Sequence, residues 1–412
     1  MRFETTKNRA ISESCKSPMS FCATQAFSSP RTQTFERMGR IPALDGIRGL
    51  AIILVLCFHI YEPLRNRLPT HPFLGKVVDL GRFTWSGVDL FFVLSGFLIG
   101  GILLDAVDSP SYFSTFYIRR ACRILPLYIA IMMLTLAMDL CFQRERLGQF
   151  LYYPLFLQNF QMAATASFGA IHLGVTWSLA VEEQFYITMP WVVRAVCRRT
   201  LAIILLVLIV AAPLLRAILL YIFPENWVAA HVLMPCRVDA LSIGVLIALG
   251  LREPRVLSKM QRYSWSAYAL LALSSLISLR VMWGRFEPLA GKAFGLDYSF
   301  LAILYGLLLL STLLSKRLSA IFSFGPLRFL GSIAYGLYLL HRAVNLALHK
   351  VLFHFRPKSE LVTDILVATS SVAVSIAVAT LSWKCFEKPL VQRGHRLCCA
   401  HFHSGLNGMT DR

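Results

Sequence analysis

The sequence predicts an all-α polytopic membrane protein with about ten transmembrane helices and both termini in the cytoplasm. Composition is the first reason. Of 412 residues, 56% are hydrophobic and only 15% charged, against roughly 45–50% apolar and about 25% charged in soluble domains. Spacing is the second. Apolar, charge-poor stretches recur at 41–61, 84–104, 124–140, 176–196, 201–223, 231–250, 265–283, 298–315, 330–352 and 362–383, each near the roughly 20 residues a helix needs to cross a bilayer. The third reason is where the basic residues fall. With a cytoplasmic N-terminus, nearly all of the net charge of +19 lies on segments that this topology leaves inside, as the positive-inside rule requires. The charge thus calls for a lipid bilayer as partner and no nucleic acid.

Residues 1–40 are polar, rich in Ser and Thr and without an apolar core, so they are no secretory signal. They read as a disordered cytoplasmic tail; a start at Met38 explains them equally. The first span then opens with LDGIRGLAIILVLCFHI, 44–60. Ionisable groups inside an apolar span are costly and usually kept for function. At about 100° per residue, Asp45, Arg48 and His59 share a sector of roughly 60°. Arg48 and His59 lie about 16 Å apart along the axis at about 1.5 Å per residue. One helix face thus carries a cation near one end and a proton acceptor near the other; a cap and a packed histidine is the plainer alternative.

The second span holds Asp89 together with Gly87, Ser95, Gly96, Gly100 and Gly101, small residues that let helices approach closely. Arg119, Arg120 and Arg123 cluster at the inner entrance of the third span. Guanidinium forks suit phosphate oxygens, although on the residues alone topogenic charge explains them as well. The short apolar patch Leu151–Phe160 cannot span and reads as interfacial or re-entrant. In the fourth span Glu182 and Glu183 are adjacent, about a turn from its outer end. Either one reaches His59 and orients it, as an acid–base pair requires, or both are solvated at the headgroups.

In the sixth span Arg237 and Asp239 stand in an apolar run, where they neutralise each other or line a cavity. In the ninth, Tyr335, Tyr338 and His341 follow at i, i+3 steps, a stripe that usually joins helices. Glu387 and Pro389 mark an exit of the last helix at the inner surface. Beyond it, His395, Cys398, Cys399, His401 and His403 fit no standard zinc spacing and read as an unstructured tail, residues 391–412. The chain has no phosphate-cradling Gly-rich loop, HExxH or GxSxG, so ATP-driven transport and serine hydrolysis lack support.

Seven of these segments in this order resemble the acyltransferase-3 family of integral membrane O-acyltransferases: LDGIRGLAIILVLCFH, VDLFFVLSGFLI, RRACRILPLY, WSLAVEEQFY, RVDALSIG, SIAYGLYLLH and FEKP. The resemblance runs from Ile41 to about Leu390 and implies one transmembrane domain over 41–390. It implies transfer of an acyl group, most commonly acetyl, to a hydroxyl of an extracytoplasmic carbohydrate or lipid-linked glycan. Acyl-CoA serves as the donor co-substrate and no cofactor is permanently bound. It further implies His59 as the catalytic residue, Arg48 as its motif partner, and Arg120 and Arg123 as the arginine pair near the donor. Many family members carry a soluble SGNH-type domain after the membrane part. This chain is expected to work without one, or with a partner, in a bacterial inner membrane.

On that footing, acyl-CoA would dock its phosphates on Arg120, Arg123 and Arg48, and its thioester would reach His59. His59 would act as base or as acylated nucleophile, with Glu182 or Glu183 stabilising the imidazolium. The rival from another class is a proton-coupled transporter with an Asp, Glu and His relay; the two halves show no convincing internal repeat.

Overall fold

The computed structural model of the chain describes residues 41–64, 81, 83–141, 150–169, 173–282, 295–353 and 361–398. The N-terminal segment 1–40 and the tail from Cys399 onward lie outside the described residues. In chain order the helices are α1 (Pro42–Leu64), α2 (Gly87–Ala106), α3 (Tyr112–Cys141), α4 (Gln158–Thr165), α5 (Thr176–Ala195), α6 (Arg198–Ile222), α7 (Trp227–Val232), α8 (Val238–Gly250), α9 (Pro254–Arg262), α10 (Ser264–Met282), α11 (Leu296–Leu314), α12 (Lys316–Phe322), α13 (Gly325–Ser332), α14 (Ala334–Phe353) and α15 (Leu361–Ser382). No strand occurs among the described residues. That is what a bilayer demands of an open-ended chain, since a helix satisfies its backbone internally.

Among the described residues six stretches are long and apolar enough to cross a membrane: Pro42–His59, Phe83–Ala106, Tyr112–Ala137, Arg198–Ile222, Leu296–Leu314 and Ile365–Cys398. The apolar stretches at 176–196, 265–283 and 330–352 are helical too, as α5, α10 and α14, but lie outside that set. The stretch at 231–250 is not one helix. α7 ends at Val232, Leu233 is extended (ψ 134°), and a 3-10 turn over Met234–Cys236 leads into the 13-residue α8. Pro235 is the cause: it lacks the N–H that would reach back to His231 in a continuous helix, and its ring would clash with the His231 carbonyl.

The C-terminal end of the last helix also departs from expectation. Instead of exiting near Pro389, the chain widens into a π-turn over Trp383–Glu387 and stays helical to Cys398. The N–H of Lys388 reaches back to Trp383 O, so the ladder absorbs the missing proline donor by one wide turn. The turn rotates Glu387 inward, where it is buried and accepts from Ser382 Oγ at 2.8 Å.

Two backbone crossings set the helix positions. A Cβ at Gly96 would land on Leu241 O, and one at Gly244 on Val93 O, so α2 and α8 touch through glycines. Likewise Gly46 faces Phe322 O, Gly49 faces Leu327 O, and Gly331 faces Asp45 O. α13 therefore lies directly against the N-terminal half of α1. Lipid supplies no hydrophobic drive between helices, so such close van der Waals contact is what holds them together. The patch at Leu151–Phe160 is not a single helix. A 3-10 turn (Tyr153–Leu155) and a left-handed Phe156 (φ 54°) precede α4, and Gln184 of α5 donates to Phe156 O at 2.8 Å and to Asn159 Oδ1 at 2.9 Å.

Candidate active site

Three polar groups sit inside this apolar scaffold. The first is a pair of histidines. α1 is unbroken from Asp45 to His59, and His59 projects from its C-terminal half against α14. His341 Nε2 lies 3.0 Å from His59 Nδ1, with ring centroids 4.7 Å apart. His59 Nδ1 also lies 3.0 Å from Val55 O. His341 is 4% exposed, whereas His59 keeps part of its surface accessible. One turn below, Tyr338 donates to Val175 O at 2.9 Å and meets Ser178 Oγ at 2.6 Å, tying α14 to the start of α5. Tyr335 OH donates to Ile124 O at 2.6 Å, tying α14 to α3. The two tyrosines are helix-joining groups, as their spacing predicts, but His341 is not merely packed: it is the side-chain partner of His59.

The second group surrounds Arg48. Its Nη1 pairs with Asp45 Oδ1 at 3.0 Å on the same helix. Arg123 of α3 is flanked by Arg48, Arg120, Tyr186 and Asp45, so three guanidinium groups converge from two helices. Arg120 lies over the Tyr186 ring at 5.1 Å, a cation–π contact, while Tyr186 OH hydrogen-bonds Ser95 Oγ of α2.

Glu182 and Glu183 face this arginine group, which corrects the expected pairing with His59. The cations acting on Glu182 are Arg120, Arg48 and Arg123, and Arg120 acts on Glu183. The titratable neighbours of His59 are instead His341 and Arg342. Depth explains the difference. Ser178 of α5 meets Tyr338, one turn from His341, and Glu182 lies a further turn along α5 toward Arg48. Glu183 Oε1 is buried with no hydrogen-bond partner.

The third group is a network of ion pairs. Arg237 and Asp239 do not neutralise each other. Arg237 Nη2 pairs with Asp89 Oδ1 of α2 at 2.6 Å. Arg216 Nη2 of α6 pairs with Asp239 Oδ2 at 2.8 Å. Residues two apart on a helix point about 200° from each other and cannot meet. Arg216 also donates to Gly295 O at 2.8 Å, to Ser299 Oγ at 2.6 Å and to Cys236 O. Arg237 lies 4.0 Å from the Tyr298 ring centroid. Arg216 was not singled out from the sequence, although its charge within the apolar run LLRAILL is the signal that drew attention to Arg237.

The sequence profile of the acyltransferase-3 family, described as Acyltransferase domain, matches residues 41–384. Among curated relatives, YrhL of Bacillus subtilis (strain 168), provisionally named a peptidoglycan O-acetyltransferase, is 28% identical over 86% of this chain and 56% of its own length. The peptidoglycan O-acetyltransferase OatA of Listeria monocytogenes is 27% identical over 88% of this chain and 58% of its own. The chain thus spans little more than half the length of these relatives. No solved structure matches.

Proposed function

The chain belongs to the acyltransferase-3 family, and from that premise we propose that it moves an acyl group, acetyl by preference, from cytosolic acyl-CoA to a hydroxyl of an extracytoplasmic carbohydrate. The two relatives named for peptidoglycan O-acetylation make a cell-wall or lipid-linked glycan the favoured acceptor. Neither of them lends support to a proton-coupled transporter. The site of action in this reading is a bacterial inner membrane, which the chain crosses about ten times with both termini cytoplasmic.

One observation carries the reading. An unbroken helix holds Arg48 among Arg120 and Arg123 near one end and an oriented His59 near the other. The spacing of about 16 Å suits a carrier whose phosphates bind guanidinium forks and whose extended arm ends in a thioester. His59 takes the proton of the acceptor hydroxyl as its oxygen attacks the thioester carbonyl. The carbon–sulfur bond then breaks, and the departing thiolate receives that proton. In an alternative sequence the imidazole is acylated first and the hydroxyl attacks the acyl-histidine. Glu182 and Glu183 serve in this scheme beside the donor arginines, neutralising and spacing them, rather than behind the histidine.

The test incubates membranes carrying the protein with isotopically labelled acetyl-CoA and follows ester-linked label into glycan by mass spectrometry. Wild type should transfer label, and His59→Ala should lose transfer by about 100-fold or more while still inserting at normal levels. Full activity in His59→Ala would overturn the assignment.

A further inference from the structure

We propose that His341 is a positioning residue that fixes the tautomer of His59, leaving Nε2 of His59 as the lone pair that acts. The inference rests on the reading of His59 given above and follows from where the hydrogens must be. A carbonyl oxygen only accepts. His341 Nδ1 lies 2.7 Å from Tyr338 O and 3.1 Å from Leu337 O, so it carries a hydrogen. In the neutral ring Nε2 is then an acceptor, and it lies 3.0 Å from His59 Nδ1. His59 Nδ1 is also 3.0 Å from Val55 O, so it too carries a hydrogen, shared between that carbonyl and His341. Nε2 of His59 is left unprotonated, with no hydrogen-bond partner among the described residues.

The arrangement is directional. A proton on His341 Nε2 would point at the hydrogen on His59 Nδ1, so the pair disfavours a charged His341. A proton arriving at His59 Nε2 meets no such conflict. The imidazolium it creates keeps two acceptors at Nδ1, the Val55 carbonyl and His341 Nε2. His341 thus plays toward His59 the part that an orienting carboxylate plays in a hydrolytic triad, without introducing a second charge into an apolar helix pair. The carbonyl that orders His341 is itself held, because Tyr338 is anchored through its hydroxyl to Val175 O and Ser178 Oγ.

The test compares full-length wild type with His341→Phe and His341→Gln, labelled with 15N-histidine and purified in detergent. Glutamine offers Oε1 near the position of Nε2 and can accept from His59; phenylalanine cannot. Nitrogen NMR should show His59 Nε2 unprotonated in wild type and in His341→Gln, with a protonated Nε2 gaining population in His341→Phe. Turnover with labelled acetyl-CoA should fall about 100-fold or more in His341→Phe, with KM for acetyl-CoA within about twofold, and recover to within about tenfold of wild type in His341→Gln. A protonated Nε2 in wild type, an unchanged tautomer in His341→Phe, or equal losses in two folded variants would each overturn the proposal. The expected spectra without any transfer from acetyl-CoA would instead count against the acyltransferase reading alone.

Discussion

The histidine pair and the Arg237–Asp89, Arg216–Asp239 network are both polar groups sunk in apolar helices, yet they are built on opposite plans. In the network each buried cation has a carboxylate, at 2.6 Å and 2.8 Å, and Arg216 uses all three guanidinium nitrogens. Four helices, α2, α6, α8 and α11, are joined through it. Among the described residues the histidine pair joins α1 to α14, shows no ion pair, and leaves one ring nitrogen without a hydrogen-bond partner. The network is a matched set of opposite charges that joins helices, and it suits architecture even though Arg237 Nε and Nη1 and Asp89 Oδ2 are buried without a hydrogen-bond partner among the described residues. A neutral ring held firmly on one side and open on the other suits proton transfer. Buried charge by itself does not mark a reactive site.

The sharpest way to break this distinction is to disturb the network. Asp89→Leu leaves Arg237 charged and unpaired, and loss of one partner in a buried pair costs about 3–5 kcal/mol. Thermal unfolding in detergent should show a large drop, and the double variant Asp89→Leu/Arg237→Met should recover most of it. If Asp89→Leu kept wild-type stability and lost only activity, the network would belong to the chemistry. Gly331→Val probes the scaffold under α1. Its side chain would strike Asp45 O, and forced overpacking of this kind costs about 1–3 kcal/mol, read as a lower unfolding temperature.

The arginine group lies between the two extremes. Arg120→Lys keeps the charge but removes the fork, so KM for acetyl-CoA should rise roughly tenfold, the worth of one hydrogen bond to a charged group, with little change in turnover. An equal fall in kcat would move Arg120 from donor binding to the chemical step. The smallest effect is expected at the π-turn. Ser382→Ala removes one hydrogen bond to Glu387 and should lower stability by about 1 kcal/mol without altering KM.

What the sequence disclosed about this protein was mostly one-dimensional. Most of the apolar stretches became helical, that at 231–250 with a break at Leu233, and His59, Arg48, Arg120 and Arg123 stood out because charge in an apolar run is rare. What it could not disclose was partnership across the bundle. His59 and His341 are 282 positions apart and Arg237 and Asp89 are 148 apart, so their meeting depends on helix order that no local pattern encodes. Two misreadings were nonetheless avoidable. The i, i+2 spacing of Arg237 and Asp239 already forbade their contact, and Pro235 already argued against one helix over 231–250. The glutamates meet the arginines and not His59 for a subtler reason: relative depth along two helices is set by packing contacts such as Tyr338 with Ser178.

The glycine crossing beneath α1 restricts how the molecule can work. Main chain rests on main chain at Gly46, Gly49 and Gly331, with no side-chain layer that could act as a bearing between them. Piston-like travel of the helix bearing His59 would have to pull those surfaces apart. On the proposed reading the imidazole is therefore a stationary anvil, and the donor and acceptor molecules would do the travelling.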